Sequence, residues 1–192
     1  MHSLLIDTRV ANFLHKQFPA LARYYRLLYN GLSLVTLLPL VIVTRISGGE
    51  VVVSWSAYTL PVRGLLFIAS LALFYSAAKR YDLKYFLGVK QLKTGQSSLL
   101  IGPDEEFSEA GVFGLTRHPW YLGALLLIWS APANYPLAVF FAACILSLYL
   151  LVGTILEEKK IISRYREPYR KYQQRVSMLF PWKWIKRRLL GD

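Results

Sequence analysis

From Pro119 to Leu156 the chain runs for 38 residues without an Asp, Glu, Lys or Arg, and polar clusters close both ends: Arg117-His118 before it, Glu157-Glu158 after it. As a single helix this block would measure about 57 Å, roughly twice the ~30 Å hydrocarbon core of a bilayer. A turn must divide it, and Pro132-Ala133-Asn134-Tyr135-Pro136 holds the residues that break helices. The block therefore reads as a membrane hairpin with charge at its mouth. Desolvated charge is costly and persists mainly where it is used. That makes Arg117, His118, Glu157 and Glu158 the first candidates for function.

Two more spans precede the hairpin. Leu27 to Thr44 is 18 residues without a charge, and Gly64 to Ala78 is charge-free and reaches back through Pro61 if Arg63 snorkels outward. The expected fold is an all-α integral membrane protein with four transmembrane helices plus interfacial and C-terminal amphipathic helices. It forms one domain: an interfacial helix over 1–20, two spans over 21–78, a connector over 79–118, the hairpin over 119–156 and a tail over 157–192. The arms of the hairpin are unequal. Pro119 to Ala131 is only 13 residues, about 20 Å. Either this helix stops early or Arg117-His118 dips below the headgroups.

The formal net charge of +12, from 23 Lys and Arg against 11 acids, follows the same topology. Basic residues crowd the N-terminal segment, the 79–118 connector and the tail, where eleven lie from Lys159 onward, while the other two loops hold only Arg45 and Arg63. Both termini and the connector are expected to face the cytoplasm. The basic residues flank apolar runs and form no basic domain, so nucleic acid is not an expected partner. Membrane lipid is. The one cysteine, Cys144, sits in an apolar run and excludes an intrachain disulfide. Three histidines, with His118 alone near the mouth, argue against a multi-histidine metal or haem centre. No secretory signal stands out.

The parts around the mouth are readable as well. Lys79 to Lys93 alternates basic and aromatic residues like an interfacial helix. Thr94 to Gly114 reads as loop, with Gly111 and Gly114 permitting close backbone approach to a ligand. Together the 79–116 segment and the tail form the available roof over the mouth. After the fourth span Ile161, Ile162, Tyr165, Tyr169, Tyr172 and Val176 recur at three- and four-residue steps. Pro168 is placed to open a second helix, with Glu167 and Lys171 paired on its surface.

The order of these motifs resembles the membrane methyltransferase superfamily, which includes isoprenylcysteine carboxyl methyltransferases and phospholipid N-methyltransferases. The positions that carry the resemblance are Gly111, Phe113, Arg117, His118, Pro119, Tyr121, Gly123, Glu157, Glu158, Tyr169, Tyr172 and Pro181. Asp82, Gly88 and Gln91 are similar to the methanethiol S-methyltransferase-like branch. Tyr165-Arg166 stands where the superfamily often has Phe-Gly, and Val176-Ser177 where it has a hydrophobic-Pro pair.

The resemblance implies S-adenosylmethionine as cofactor and a lipophilic or small thiol or carboxyl acceptor, met at the cytoplasmic membrane face. It assigns Gly111, Phe113, Arg117, His118, Tyr121, Glu157 and Glu158 to the cofactor, with Arg117 and Glu158 in the catalytic role and no metal. Arg117 and the N–H groups at the start of a helix suit a carboxylate. Glu157 or Glu158 suits an ammonium and ribose hydroxyls, and aromatic faces suit a sulfonium. Arg166, Tyr169 and Tyr172 are the expected acceptor contacts. Two other readings share parts of the pattern: an NADPH-dependent sterol-reductase-like enzyme, and a non-catalytic or haem-associated membrane protein.

Overall fold

The computed structural model describes residues 17, 24–46, 49–79 and 110–190. The interfacial helix expected over 1–20 therefore lies outside the described residues, apart from Gln17, as does most of the expected roof, including Asp82, Gly88 and Gln91. The chain forms two compact units, one of residues 1–46 with 81–107, the other of residues 47–80 with 108–192. In the first unit the described element is α1 (Tyr25–Ile46), a 22-residue helix with Pro39 inside it and many exposed leucines, valines and isoleucines.

The second unit holds the hairpin. Its order is β1 (Val51–Ser54), α2 (Leu60–Ala78), a 3-10 turn (Gly111–Gly114), α3 (Pro119–Ser130), β2 (Asn134–Pro136), α4 (Leu137–Arg175) and α5 (Trp182–Leu190). The helices α2 and α4 are long and apolar enough to cross a membrane, and α3 is a shorter apolar helix. Pro61 near the start of α2 and Pro119 at the start of α3 lie where a missing N–H costs no helical hydrogen bond.

The expected break between the hairpin arms is present and holds more than a turn. β1 and β2 pair antiparallel, Val53 opposite Tyr135 and Ser54 opposite Asn134, with an irregularity between Val51 and Val53. Pro136, opposite Val51, has no N–H to give the ladder, which suits a bulge there. This ribbon is absent from the all-helical reading, because a three-residue strand that ends in proline carries no strand periodicity.

The short arm ends at Ser130, and its C-terminal end is sealed from a distance. Arg63 on α2 donates from Nε to the Ser130 carbonyl at 2.8 Å and from Nη2 to the Ala131 carbonyl at 2.9 Å. Trp55 Nε1 adds a bond to the Trp129 carbonyl at 3.1 Å. These are final carbonyls of α3, which have no partner within their own helix. Arg63 thus has a specific partner, beyond the outward snorkelling its position suggests.

Close backbone approach holds α2 against α3. Ser70 Oγ donates to the Gly123 carbonyl at 2.8 Å, and a Cβ on Gly123 would meet the Phe74 ring at 3.3 Å. Along α4, Trp129 Nε1 donates to Ser147 Oγ at 2.9 Å, and a Cβ on Gly153 would meet the Tyr121 ring at 3.5 Å. The two arms therefore run antiparallel, bringing the start of α3 beside Glu158.

Candidate active site at the mouth of the hairpin

Chain order alone would keep Glu158 and Tyr169 apart: eleven residues of straight helix span about 16 Å. They meet because α4 breaks at Arg166, whose φ of 49° and ψ of −123° are non-helical. Pro168 then lies in the opening turn of the second stretch, as its position in the sequence predicts. The chain folds back, and the Tyr169 hydroxyl donates to Glu158 Oε1 at 2.6 Å.

Glu158 is the hub. Arg117 holds it with two parallel bonds, Nε to Oε1 at 2.9 Å and Nη2 to Oε2 at 2.8 Å. His118 Nε2 meets Oε1 at 2.7 Å, and the Gln173 side-chain amide donates to Oε2. Glu158 and His118 are buried, as are the rings of Tyr169 and Tyr172. Five bonds on one carboxylate leave it little capacity for another partner.

Arg117 is similarly occupied. Beyond Glu158, its Nη1 donates to the backbone carbonyls of Gln173 and Val176. Four of its five N–H groups therefore have partners inside the protein. The backbone repeats the tie. Thr116 and Ser177 form a parallel bridge, the Arg117 N–H donates to the Ser177 carbonyl at 3.0 Å, and the His118 N–H to the Met178 carbonyl at 3.2 Å.

Glu158 lies beyond the charge-free stretch that ends at Leu156. Burial alone would raise its pKa. The bonds from His118, Arg117, Tyr169 and Gln173 outweigh burial and hold it well below the usual carboxylate range. For Tyr169, burial and then the neighbouring carboxylate push the phenol well above its ordinary value. The pair is a carboxylate and a neutral phenol at any physiological pH.

The sequence candidates divide into groups. Arg117, His118, Glu158 and Tyr169 share one cluster. Tyr172 joins its edge, donating to the Phe113 carbonyl at 2.6 Å and packing edge-on against Tyr169 with ring centroids 5.7 Å apart. Phe113 belongs to the 3-10 turn that Gly111 opens at φ 67°, a left-handed conformation that glycine adopts without strain. Tyr121 stands edge-on to His118 with ring centroids 5.7 Å apart. Glu157 is half-buried and outside the Glu158 network, since neighbouring helical residues point about 100° apart. Arg166 is exposed, whereas Tyr169 and Tyr172 are buried. Glu167 pairs with Arg170 at 3.5 Å, a partner other than the expected Lys171.

Three participants were not among the sequence candidates. Gln173 follows Tyr169 by four residues and so shares its helical face, the one signal that could have found it. Thr116 is fully buried, its hydroxyl donating to the Met178 carbonyl at 3.0 Å. Lys183 Nζ donates to the Gln173 carbonyl at 2.6 Å.

Residues 103–176 match a family described as a protein of unknown function, DUF1295. A methanethiol S-methyltransferase of Bradyrhizobium diazoefficiens is 42% identical over 72 residues, 38% of this chain and 25% of that protein. One from Pseudomonas deceptionensis is 37% identical over 78 residues, 41% of this chain and 29% of that protein. One from Mycobacterium tuberculosis is 35% identical over 66 residues, 34% of this chain and 27% of that protein. Each match thus spans less than a third of the relative's own length. No solved structure gives a significant match. These similarities support a membrane methyltransferase-like family for this chain. The named relatives are methanethiol S-methyltransferases, which does not favour the sterol-reductase reading.

Proposed function

We propose that this chain is an S-adenosylmethionine-dependent methyltransferase of a membrane, with a small thiol as methyl acceptor. The observation that carries the reading is the buried Arg117–His118–Glu158 cluster at the start of α3, in a chain part of which is similar to methanethiol S-methyltransferases. Four spans, with both termini and the site on the cytoplasmic side, complete the proposal, because the basic residues divide that way.

The donor set fits the cofactor. The start of the twelve-residue helix α3 carries the positive end of its dipole, suited to a carboxylate. Glu157, outside the Glu158 network, suits an ammonium. Tyr121 and Phe113 supply aromatic surface for a sulfonium. Bound there, S-adenosylmethionine supplies an electrophilic methyl group that a thiolate accepts.

The chain's own residues do the rest. Arg117 and Glu158 act as positioning residues, each held by the other and by Gln173. With Nε2–H donated to Glu158, a neutral His118 keeps its other ring nitrogen as an acceptor. In this reading that nitrogen takes the proton of the acceptor thiol, and Glu158 stabilises the imidazolium that results. The apolar hairpin excludes water from the thiolate.

The test is calorimetric titration of the purified protein with S-adenosylhomocysteine and NADPH side by side, followed by transfer of labelled methyl from S-adenosylmethionine to methanethiol or to a prenylated cysteine. Binding of S-adenosylhomocysteine alone, with label in the volatile thioether, is expected. NADPH binding without S-adenosylhomocysteine binding would overturn the cofactor, and label only in the prenylated product would overturn the acceptor.

A further inference from the structure

The helix α5 (Trp182–Leu190) contributes no side chain to Glu158's shell, yet it is built for a partner. It carries Lys183, Lys186, Arg187 and Arg188 and no acid. Trp182, Ile185 and Leu189 recur at three- and four-residue steps and form one stripe. The stripe is largely bare: Trp182 is 62% exposed and Leu189 78%, with Phe180 just before the helix at 63%. Large apolar side chains gathered in the open on so short a helix mark a surface that something covers.

The position of α5 says what covers it. Lys183 Nζ donates to the carbonyls of Gln173 and Gln174 at 2.6 and 3.0 Å, and the Lys183 N–H donates to Ser177 Oγ at 2.9 Å. Gln173 in turn holds Glu158, two residues past the end of the charge-free stretch of α4. The tether therefore fixes α5 at the level where the apolar hairpin ends, which is the headgroup level of a bilayer crossed by α4. Lys186, Arg187 and Arg188 remain exposed there, and the Arg188 guanidinium stands 5.6 Å from the Trp184 ring. Tryptophan beside arginine and lysine at this depth matches the interfacial zone, whose inner-leaflet lipids carry negative charge.

We propose that α5 lies flat on the leaflet at the hairpin mouth, with its apolar stripe among the acyl-chain ends and its basic residues on anionic headgroups. The occupant is the lipid surface, chosen over a protein partner because charge and depth agree.

The experiment uses the full chain in lipid nanodiscs, with Cys144→Ser removing the native thiol and acrylodan attached at Leu189→Cys. Discs of phosphatidylcholine are compared with discs of phosphatidylcholine and phosphatidylglycerol in equal parts. In the anionic discs the emission should shift to the blue and lose most of its quenching by acrylamide. Both changes should reverse in high salt and in the triple variant Lys186→Glu, Arg187→Glu, Arg188→Glu. A dye equally exposed in both lipids, or equally buried in both and insensitive to salt, overturns the proposal. So does a blue shift that appears only with two chains per disc, which would make a second copy the occupant. None of these outcomes depends on methyl transfer.

Discussion

Two arginines stand at opposite ends of the same twelve-residue helix, and they are held by different chemistry. Arg63 lies at the C-terminal end of α3, where the helix dipole is negative and the final carbonyls need donors. It needs no acid. Arg117 immediately precedes the N-terminal end, where the dipole is positive and a cation is opposed. It is held by Glu158, brought from the far arm of the hairpin, with the carboxylate well placed near that helix start. The first arginine closes a helix; the second is one member of a buried assembly whose members depend on one another. A cation at the edge of an apolar segment is evidence of function only where the helix end would repel it.

The largest effect expected from this contrast is at Glu158. Glu158→Ala leaves Arg117 buried without its carboxylate, which costs about 3–5 kcal/mol. Thermal unfolding in nanodiscs should show the loss, and S-adenosylhomocysteine affinity should fall with it. Arg63→Ala strands two carbonyls and should cost less, about 1–3 kcal/mol, without changing ligand affinity in molecules that remain folded. If Arg63→Ala matched Glu158→Ala in both readouts, the two ends would be equivalent and the contrast would fail.

A pH series sharpens the comparison. The folded pKa of Glu158 lies below its unfolded value. Its contribution is therefore fully present above the ordinary carboxylate pKa of about 4.3 and is lost as pH falls further. The wild type should lose stability on acidification below that range more steeply than Glu158→Gln, whereas Arg63→Ala should follow the wild-type slope.

The smallest expected effect has the opposite sign. Arg166 holds a φ of 49° that glycine adopts freely and other residues adopt at a cost. Arg166→Gly should stabilise the fold by about 1 kcal/mol. If acceptor turnover fell while stability rose, Arg166 would hold the acceptor role that its sequence position suggests. Unchanged turnover would make it a hinge residue alone.

Much of the mouth was legible because its signals are local. Pro119 marks a helix start, the proline pair a break, and Pro168 the opening of the returning stretch, each through a missing N–H within a few residues. The tyrosine stripe is likewise a property of one helix face. Gln173 was not picked out, because a lone glutamine on such a face looks solvated until Glu158 is seen opposite it. The ribbon joining Val51–Ser54 to Asn134–Pro136 was hidden for a similar reason: strand pairing across some eighty residues leaves no periodicity in a four-residue segment.

By itself the sequence determined the lengths of the apolar segments, the inequality of the hairpin arms and the charged residues gathered at one mouth. Those follow from composition and from the rise of a helix. Only the tertiary structure decided which of two adjacent glutamates faces inward, that Arg63 caps carbonyls sixty-seven and sixty-eight residues away, and that a break at Arg166 returns Tyr169 to Glu158. Adjacent helical side chains diverge by about 100°, so the identity of the buried one depends on the helix opposite it. That relation is set by packing and has no expression in the order of residues.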